Sequence, residues 1–309
     1  MNKTAFLFPG QGSQQVGMGL DLLDRYPTAK STFAEADSAL GESLTDLIRN
    51  GPEERLKETA NAQPAILTVS VAVGRILAEA GKWPDVMAGH SLGEYSALVL
   101  SGAMAFADAV RIVRLRGKYM QEAVPLGKGT MAAVLGMEDA LVEEVCHEVN
   151  CKGFLVEPAN YNCPGQLVIS GTVEGVNAAS ELLKAKGCRK CIPLQVSAPF
   201  HSSLLKPAGE RLAVDLRKIT FADPKTPYVA NVDASVVRSK EGIVDRLVAQ
   251  ISKPVRWTQS LQRIVSEFAP TQAVEVGPGK VVSGHWKKVA PTVPCQTTES
   301  AEILATFLR

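Results

Sequence analysis

Among the residues of this chain whose types and spacing can do chemistry, the serine of Gly89-His90-Ser91-Leu92-Gly93 comes first. The G-x-S-x-G pattern fits a nucleophile elbow. In such a tight strand-to-helix turn, glycines stand where a side chain would clash and the hydroxyl is pushed into the open. The flanks agree. Pro84-Asp85-Val86-Met87-Ala88 is a short apolar run suited to a buried strand, and Glu94 to Leu100 can continue as a helix. A helix starting just after Ser91 also points backbone N–H groups at charge developing beside its oxygen. The chemistry this allows is formation of an acyl-serine. The structural alternative is a glycine-punctuated turn carrying an ordinary surface serine.

A serine hydroxyl needs a base, and histidine is the usual one at neutral pH. Of the four histidines, His90 adjoins the serine, but neighbouring residues on an elbow point apart. His147 falls on the polar side of a helical segment and reads as solvated. His285, in Gly284-His285-Trp286-Lys287-Lys288, reads as a surface residue. His201 remains, in the proline-fixed loop Ser197-Ala198-Pro199-Phe200-His201-Ser202; function concentrates on such loops, and a capping or packing role is its alternative. Arg116 is the second clue. On a helix over Met104 to Ala123 the apolar stripe is Phe106, Ala109, Val110, Val113, Gly117 and Met120, with Arg116 on its flank, partly among buried groups. A guanidinium there needs an anion. A structural salt bridge supplies one; bidentate recognition of a substrate carboxylate is the functional reading. Cys188-Arg189-Lys190-Cys191 has C-x-x-C spacing but no second pair at zinc-ribbon spacing. On a strand over Arg189 to Leu194 its two thiols are expected on opposite faces. No metal site is expected, and the six cysteines are read as reduced structural thiols.

The elements that must position these residues follow from the apolar runs. Thr4 to Phe8 reads as a buried strand entering the loop Gly10-Gln11-Gly12-Ser13-Gln14. That loop is no dinucleotide fingerprint, because Gln15 stands where G-x-G-x-x-G requires glycine, and no G-K-[ST] follows. It suits close approach of backbone and Gln11 to something bound. Helices are expected over Tyr26 to Leu40, Ser43 to Arg49 and Gln63 to Ala80, the last closed by Gly81. From Gly129 to Gln195 the order strand (Thr130 to Leu135), helix (Glu138 to Val149), strands (Phe154 to Ala159, Leu167 to Ser170), helix (Val173 to Lys186), strand (Arg189 to Leu194) is the ferredoxin-like βαββαβ pattern. The expected fold is therefore α/β: a large α/β-hydrolase-like domain with a short parallel sheet, residues 1–127 and 197–309, interrupted by a ferredoxin-like subdomain at 128–196. Short strands at Tyr228 to Val232 and Ala273 to Val276 belong to the large domain.

The bulk numbers bound the function. The chain has 309 residues, 46% hydrophobic and 21% charged, with a formal net charge of +1, which argues against a general nucleic-acid binder. Charge is uneven, however: between Ser180 and Thr220, Lys184, Lys186, Arg189, Lys190, Lys206, Arg211, Arg217 and Lys218 outnumber Glu181, Glu210 and Asp215. That surplus could steer an acidic partner or be a solvated face. Ala5-Phe6-Leu7-Phe8 is too short for a signal-peptide core, and Tyr95 to Ala107 is too short and interrupted to span a bilayer. A cytoplasmic protein with no membrane partner is expected.

Taken together, Phe8-Pro9-Gly10-Gln11-Gly12-Ser13-Gln14, Gln63-Pro64-Ala65, Gly89-His90-Ser91-Leu92-Gly93-Glu94, Arg116-Gly117, Asn162-Cys163-Pro164-Gly165-Gln166, Phe200-His201 and Glu275-Val276-Gly277-Pro278-Gly279 recur in an order that closely resembles the malonyl-CoA:acyl carrier protein transacylases. These are the stand-alone bacterial enzymes of fatty acid synthesis, related to the acyltransferase domains of polyketide and animal fatty acid synthases. The resemblance spans nearly the whole chain. It implies Ser91 as nucleophile and His201 as general base, oriented by the backbone carbonyl of Gln250 rather than a carboxylate. It implies an oxyanion hole from the backbone N–H groups of Gln11 and Leu92, and Arg116 on the free carboxylate of the malonyl group. Gln63, Asn162, Gln166 and Phe200 are the implied pocket residues. Malonyl would pass from coenzyme A to Ser91 and then to the phosphopantetheine thiol of an acidic acyl carrier protein, with coenzyme A thioester as substrate and no cofactor. Arg189 and Lys190 are candidate carrier-protein contacts, and a monomer is expected. The chain departs from the family at Cys163, where serine is commoner. Phe200 resembles malonyl-selective members, since its ring would crowd an α-methyl branch. A serine hydrolase of esters or thioesters is the alternative within the same chemistry, though it has no need of Arg116. A non-catalytic carrier-protein or coenzyme A binding module is the alternative from another class.

Overall fold

Short apolar runs such as Thr4–Phe8 and Val86–Gly89 become strands because burying both of their faces is the main favourable term available to them. Edge runs such as Lys190–Pro193 stay largely exposed and are held by pairing. In the computed structural model, which describes residues 3–196 and 198–309, these strands are β1 (Thr4–Phe8), β2 (Val86–Gly89), β3 (Gly129–Leu135), β4 (Val156–Cys163), β5 (Gln166–Thr172), β6 (Lys190–Pro193), β7 (Tyr228–Val229), β8 (Val236–Val237), β9 (Gln272–Glu275) and β10 (Cys295–Thr297). One sheet has the order β10-β9-β1-β2-β7-β8. It is parallel from β10 to β7, and β8 pairs antiparallel with β7. Alternation within each strand splits its side chains between two layers. Phe6, Phe8, Met87 and Val274 join Phe33, Ile66, Val73 and Val113 of the helices on one side. Ala5, Leu7, Val86, Ala88 and Ala273 join Trp257, Leu261, Ile264 and Trp286 on the other.

The second sheet is antiparallel, in the order β4-β5-β3-β6. With helices Asp139–Cys151 and Val173–Ala185 its elements run βαββαβ. Those helices cover one face through Val142, Val145, Val149, Val176, Ala179 and Leu183. The other face gives Met131, Ala133, Ala159 and Val168 to the core of the large sheet's helices. Reciprocal backbone bonds, Tyr161 N–H to Val255 O at 3.0 Å and Val255 N–H to Ala159 O at 2.8 Å, tie β4 to the segment before helix Trp257–Phe268. Among the described residues no helix is long and apolar enough to cross a membrane.

Element bounds shift where tertiary contacts outweigh local signals. The helix expected from Gln63 starts at Thr59 and keeps Pro64 inside it, because Thr59 and Ala62 are buried against helix Phe106–Glu122. The strand expected over Tyr228 to Val232 stops at Val229, since Asn231 leaves the ladder to bond the serine turn. The C-x-x-C expectation is corrected. Cys188 precedes β6, so strand alternation does not govern it, and its Sγ lies 3.5 Å from that of Cys191. Ser197, at the start of the predicted His201 loop, lies outside the described residues.

Candidate active site

The turn that carries Ser91 is made by its glycines. β2 ends at Gly89 and a helix begins at Gly93. A Cβ at Gly89 would overlap the backbone of Gly93, and one at Gly93 would overlap the Phe8 carbonyl. Ser91 itself sits at φ 50°, a strained conformation that persists only when the surroundings hold it. Asn231 is the clamp: its Oδ1 accepts from Ser91 N–H at 2.7 Å, and its Nδ2 donates to Gly89 O at 2.7 Å.

His201, buried and at φ 58°, meets the serine from the far side of the chain. Its Nδ1 lies 2.7 Å from Gln250 O and its Nε2 lies 2.8 Å from Ser91 Oγ. A carbonyl only accepts, so Nδ1 carries the proton, Nε2 offers its lone pair, and the Ser91 hydroxyl donates to it. Burial first, and the Arg116 charge second, hold the imidazole down to about 3. It is therefore neutral and competent as a base, with the Gln250 carbonyl rather than a carboxylate at its Nδ1.

Arg116 is more deeply buried than its place on the stripe suggested, at 1% exposure. Gly117 next to it allows the helix to close on Thr59 and Ala60, where a Cβ would collide. The guanidinium donates to Gln63 Oε1 (2.8 Å), Gln250 Oε1 (2.9 Å) and Ser91 Oγ (3.1 Å), and it lies 5.6 Å from the centre of the Tyr95 ring. Burial lowers its pKa, yet a guanidinium keeps its proton. Among the described residues no carboxylate pairs with it, so the salt-bridge alternative is not what occupies it. Its direct acceptors are neutral, so the guanidinium can still take an anion in direct contact, and its bond to Ser91 Oγ aims it at the serine.

These groups line a cavity of about 430 Å³. Gln11, Gln63, Leu92 and Arg116 surround Ser91, while Met120, Met131, Leu194, Val196 and Phe200 provide apolar wall. Asn162 and Gln166, expected in the pocket, are not among the lining residues; Asn160 is. Asn162 Oδ1 instead meets His90 Nε2 at 2.8 Å, and Gln166, at the start of β5, bonds Cys163 Sγ at 3.7 Å. Arg189 and Lys190 are exposed at the start of β6, whose continuation, Leu194 to Val196, reaches the cavity. His147 is exposed as expected. His285 is not a surface residue: it is 7% exposed, 6.1 Å ring to ring from His90, and burial holds it down to about 3. The stripe Val282, His285, Trp286, Val289 was the available signal, with apolar neighbours at helical spacing. Glu94, Asn231 and the side chain of Gln250 had no role in the sequence reading, and all three contact the serine turn or its supports. Asn231 follows β7, at the carboxyl end of a parallel strand, where such sites gather.

A family model described as acyl transferase domain matches residues 5–307. The malonyl CoA-acyl carrier protein transacylase of Bacillus subtilis (strain 168) is 49% identical over 312 residues, covering 100% of this chain and 98% of the relative. That of Escherichia coli (strain K12) is 47% identical over 309 residues, covering 100% and 99%. Among solved structures, a malonyl-transacylase in complex with a type II polyketide synthase acyl-carrier protein superimposes with a TM-score of 0.96 at 45% identity, covering 99% of each chain. The malonyl CoA-acyl carrier protein transacylase of Coxiella burnetii does so with a TM-score of 0.96 at 40% identity, covering 99% of this chain and 97% of that one.

Proposed function

The chain belongs to the acyl transferase family, and from that premise we propose that it transfers a malonyl group from malonyl-CoA to the phosphopantetheine thiol of an acyl carrier protein, supplying fatty acid synthesis. The observation that carries the malonyl reading is Arg116, a buried guanidinium that no carboxylate among the described residues contacts directly, 3.1 Å from Ser91 Oγ. A substrate carboxylate one methylene from the reacting carbonyl would reach it while that carbonyl lies against the serine.

In the first half-reaction Ser91 Oγ attacks the thioester carbonyl carbon and its proton passes to His201 Nε2. The backbone N–H groups of Gln11 and Leu92 receive the oxyanion. The intermediate collapses by breaking the C–S bond, and the coenzyme A sulfur leaves with the proton held by His201. In the second half the pantetheine thiol yields its proton to His201 and attacks the malonyl ester, and Ser91 oxygen leaves and recovers a proton. Thioester and oxyester lie close in energy, so the exchange balances in both directions and calls for no metal or redox cofactor. Gln63 fixes Arg116, and Phe200 narrows the wall against α-branched acyl groups. Exposed Arg189 and Lys190, at the entry to the strand leading toward the cavity, suit contact with an acidic carrier protein. Every group named comes from one chain, so transfer needs no second copy, and the reading is of a monomer acting in the cytoplasm.

The test is transfer measured with malonyl-CoA in the presence and absence of carrier protein. We expect malonyl-carrier protein to form through a malonyl-Ser91 peptide visible by mass spectrometry. Charge reversal at Arg189 and Lys190 should raise KM for carrier protein alone. Free malonate released as fast as carrier protein is loaded would make the protein a hydrolase, and absence of the Ser91 adduct would make it a binding module.

A further inference from the structure

One amide, that of Gln250, stands between Arg116 and a buried carboxyl group. Glu94 stands on the helix that follows Ser91 and is 1% exposed. Its Oε2 accepts from Gln250 Nε2 at 2.6 Å and from Asn231 N–H at 3.2 Å, while Oε1 is buried without a partner among the described residues. The Gln250 amide nitrogen also donates to Ser91 O at 3.0 Å, so its oxygen faces Arg116 Nη2 at 2.9 Å. A flipped amide would set NH₂ against the guanidinium and oxygen against the carboxylate, so Glu94 dictates the orientation. The backbone carbonyl of the same Gln250 holds His201.

We infer that Glu94 is a positioning residue of the transfer site: through Gln250 it aims Arg116 at Ser91, and it balances the Arg116 charge until a substrate carboxylate arrives. This rests on the malonyl-transfer reading above. Once malonyl binds, two carboxylates share one buried cation, and Glu94 yields by taking up a proton. Burial, opposed by the Gln250 hydrogen bond, has already pushed its carboxyl up to about 7. The charged and titratable groups around it are Arg116 from helix Phe106–Glu122, Asp233 after β7, Tyr95 beside it and Tyr228 on β7. Burial raises both phenols and keeps them neutral, and the Asp233 carboxyl is lowered and stays ionised. Near neutrality Glu94 is the member of this set that titrates.

Malonyl-CoA binding is then favoured by the protonated Glu94. In the unmodified protein KM for malonyl-CoA should rise roughly five-fold from about pH 6 to about pH 8. Glu94→Gln keeps an acceptor toward Gln250 without the charge, and should lose most of that rise, whereas Glu94→Asp should keep it. Coenzyme A, as a competitive inhibitor lacking the carboxylate, should show the same pH dependence in all three. A second measurement needs no change at Glu94: calorimetry of malonyl-CoA binding to Ser91→Ala in buffers of different ionisation heat. It should report uptake of at least about half a proton near pH 7.5, and none for coenzyme A. Identical pH dependence in Glu94→Gln and the parent, or no proton uptake, overturns the inference while leaving malonyl transfer standing. Absence of a malonyl-Ser91 adduct in the unmodified protein overturns both.

Discussion

At the scale of single residues, loss of water sets the protonation of the site. Burial holds His201 and His285 down to about 3 and also lowers His90, from an ordinary 6.5. The same desolvation raises Glu94 and Glu275 from 4.5 to about 7, and Glu275 is anchored by the Val282 and Ser283 N–H groups. The two sets pull stability in opposite directions. A histidine kept neutral contributes stability that is present above about 6.5 and lost as pH falls toward about 3. A carboxyl kept protonated contributes stability that is present below about 4.5 and lost as pH rises through about 7. Below about 4.5 only the histidine effect remains, so the loss on acidification is steepest there. For His285→Phe, which removes one titrating group, stability relative to the parent should improve by about 2 kcal/mol between about pH 7.5 and about pH 5. Denaturant unfolding at both pH values checks this, and parallel pH dependence in the two proteins would contradict it. Ser91 stood out by local spacing, His201 by elimination among four histidines and Arg116 by its place beside an apolar stripe. The roles of His201 and Arg116 came from the family resemblance, and the structure brings the three together. Asn231 was not legible, since it bonds the serine turn across 140 positions of chain.

At the scale of elements, glycine decides which turns can exist. Gly93 packs where a methyl group would enter the Phe8 carbonyl, whereas nothing lies within 4 Å of a Cβ at Gly284, exposed on helix Val281–Val289. Gly93→Ala should therefore cost on the order of 1–3 kcal/mol through overpacking and slow acylation of Ser91. Gly284→Ala should add about 1 kcal/mol through helix propensity with transfer unchanged. Urea denaturation and a loading assay on both variants test the contrast, and equal effects would contradict it. The elements read from apolar runs and breakers appear in the expected order, including the βαββαβ segment, whereas β8, β10 and the helices Lys206–Leu216, Ile243–Ser252, Trp257–Phe268 and Ala301–Leu308 were not read from the sequence. Element ends were not readable: β4 continues to Cys163 because its edge gains the Val255 segment, a partner no local pattern announces.

At the scale of the whole molecule, the cavity is assembled from distant stretches. Gln11 follows β1, Ser91 follows β2, Arg116 sits on the helix packed beside Gln63, and Met131 and Leu194 come from the small sheet's β3 and the end of β6. His90 and Asn162 bond across the two sheets next to the serine. Sequence order alone does not bring these together; the packing of the small sheet's free face onto the large core does. That enclosure is what limits water at an acyl-serine.

The central claim is that Ser91 relays a malonyl group whose carboxylate Arg116 holds. Its most direct test is the ratio of malonyl to acetyl transfer onto carrier protein by Arg116→Ala. Removing a buried charged partner should lower kcat/KM for malonyl-CoA by about 10²-fold or more and leave acetyl transfer equal or improved. An equal fall in both activities would contradict the claim and make Arg116 a structural residue.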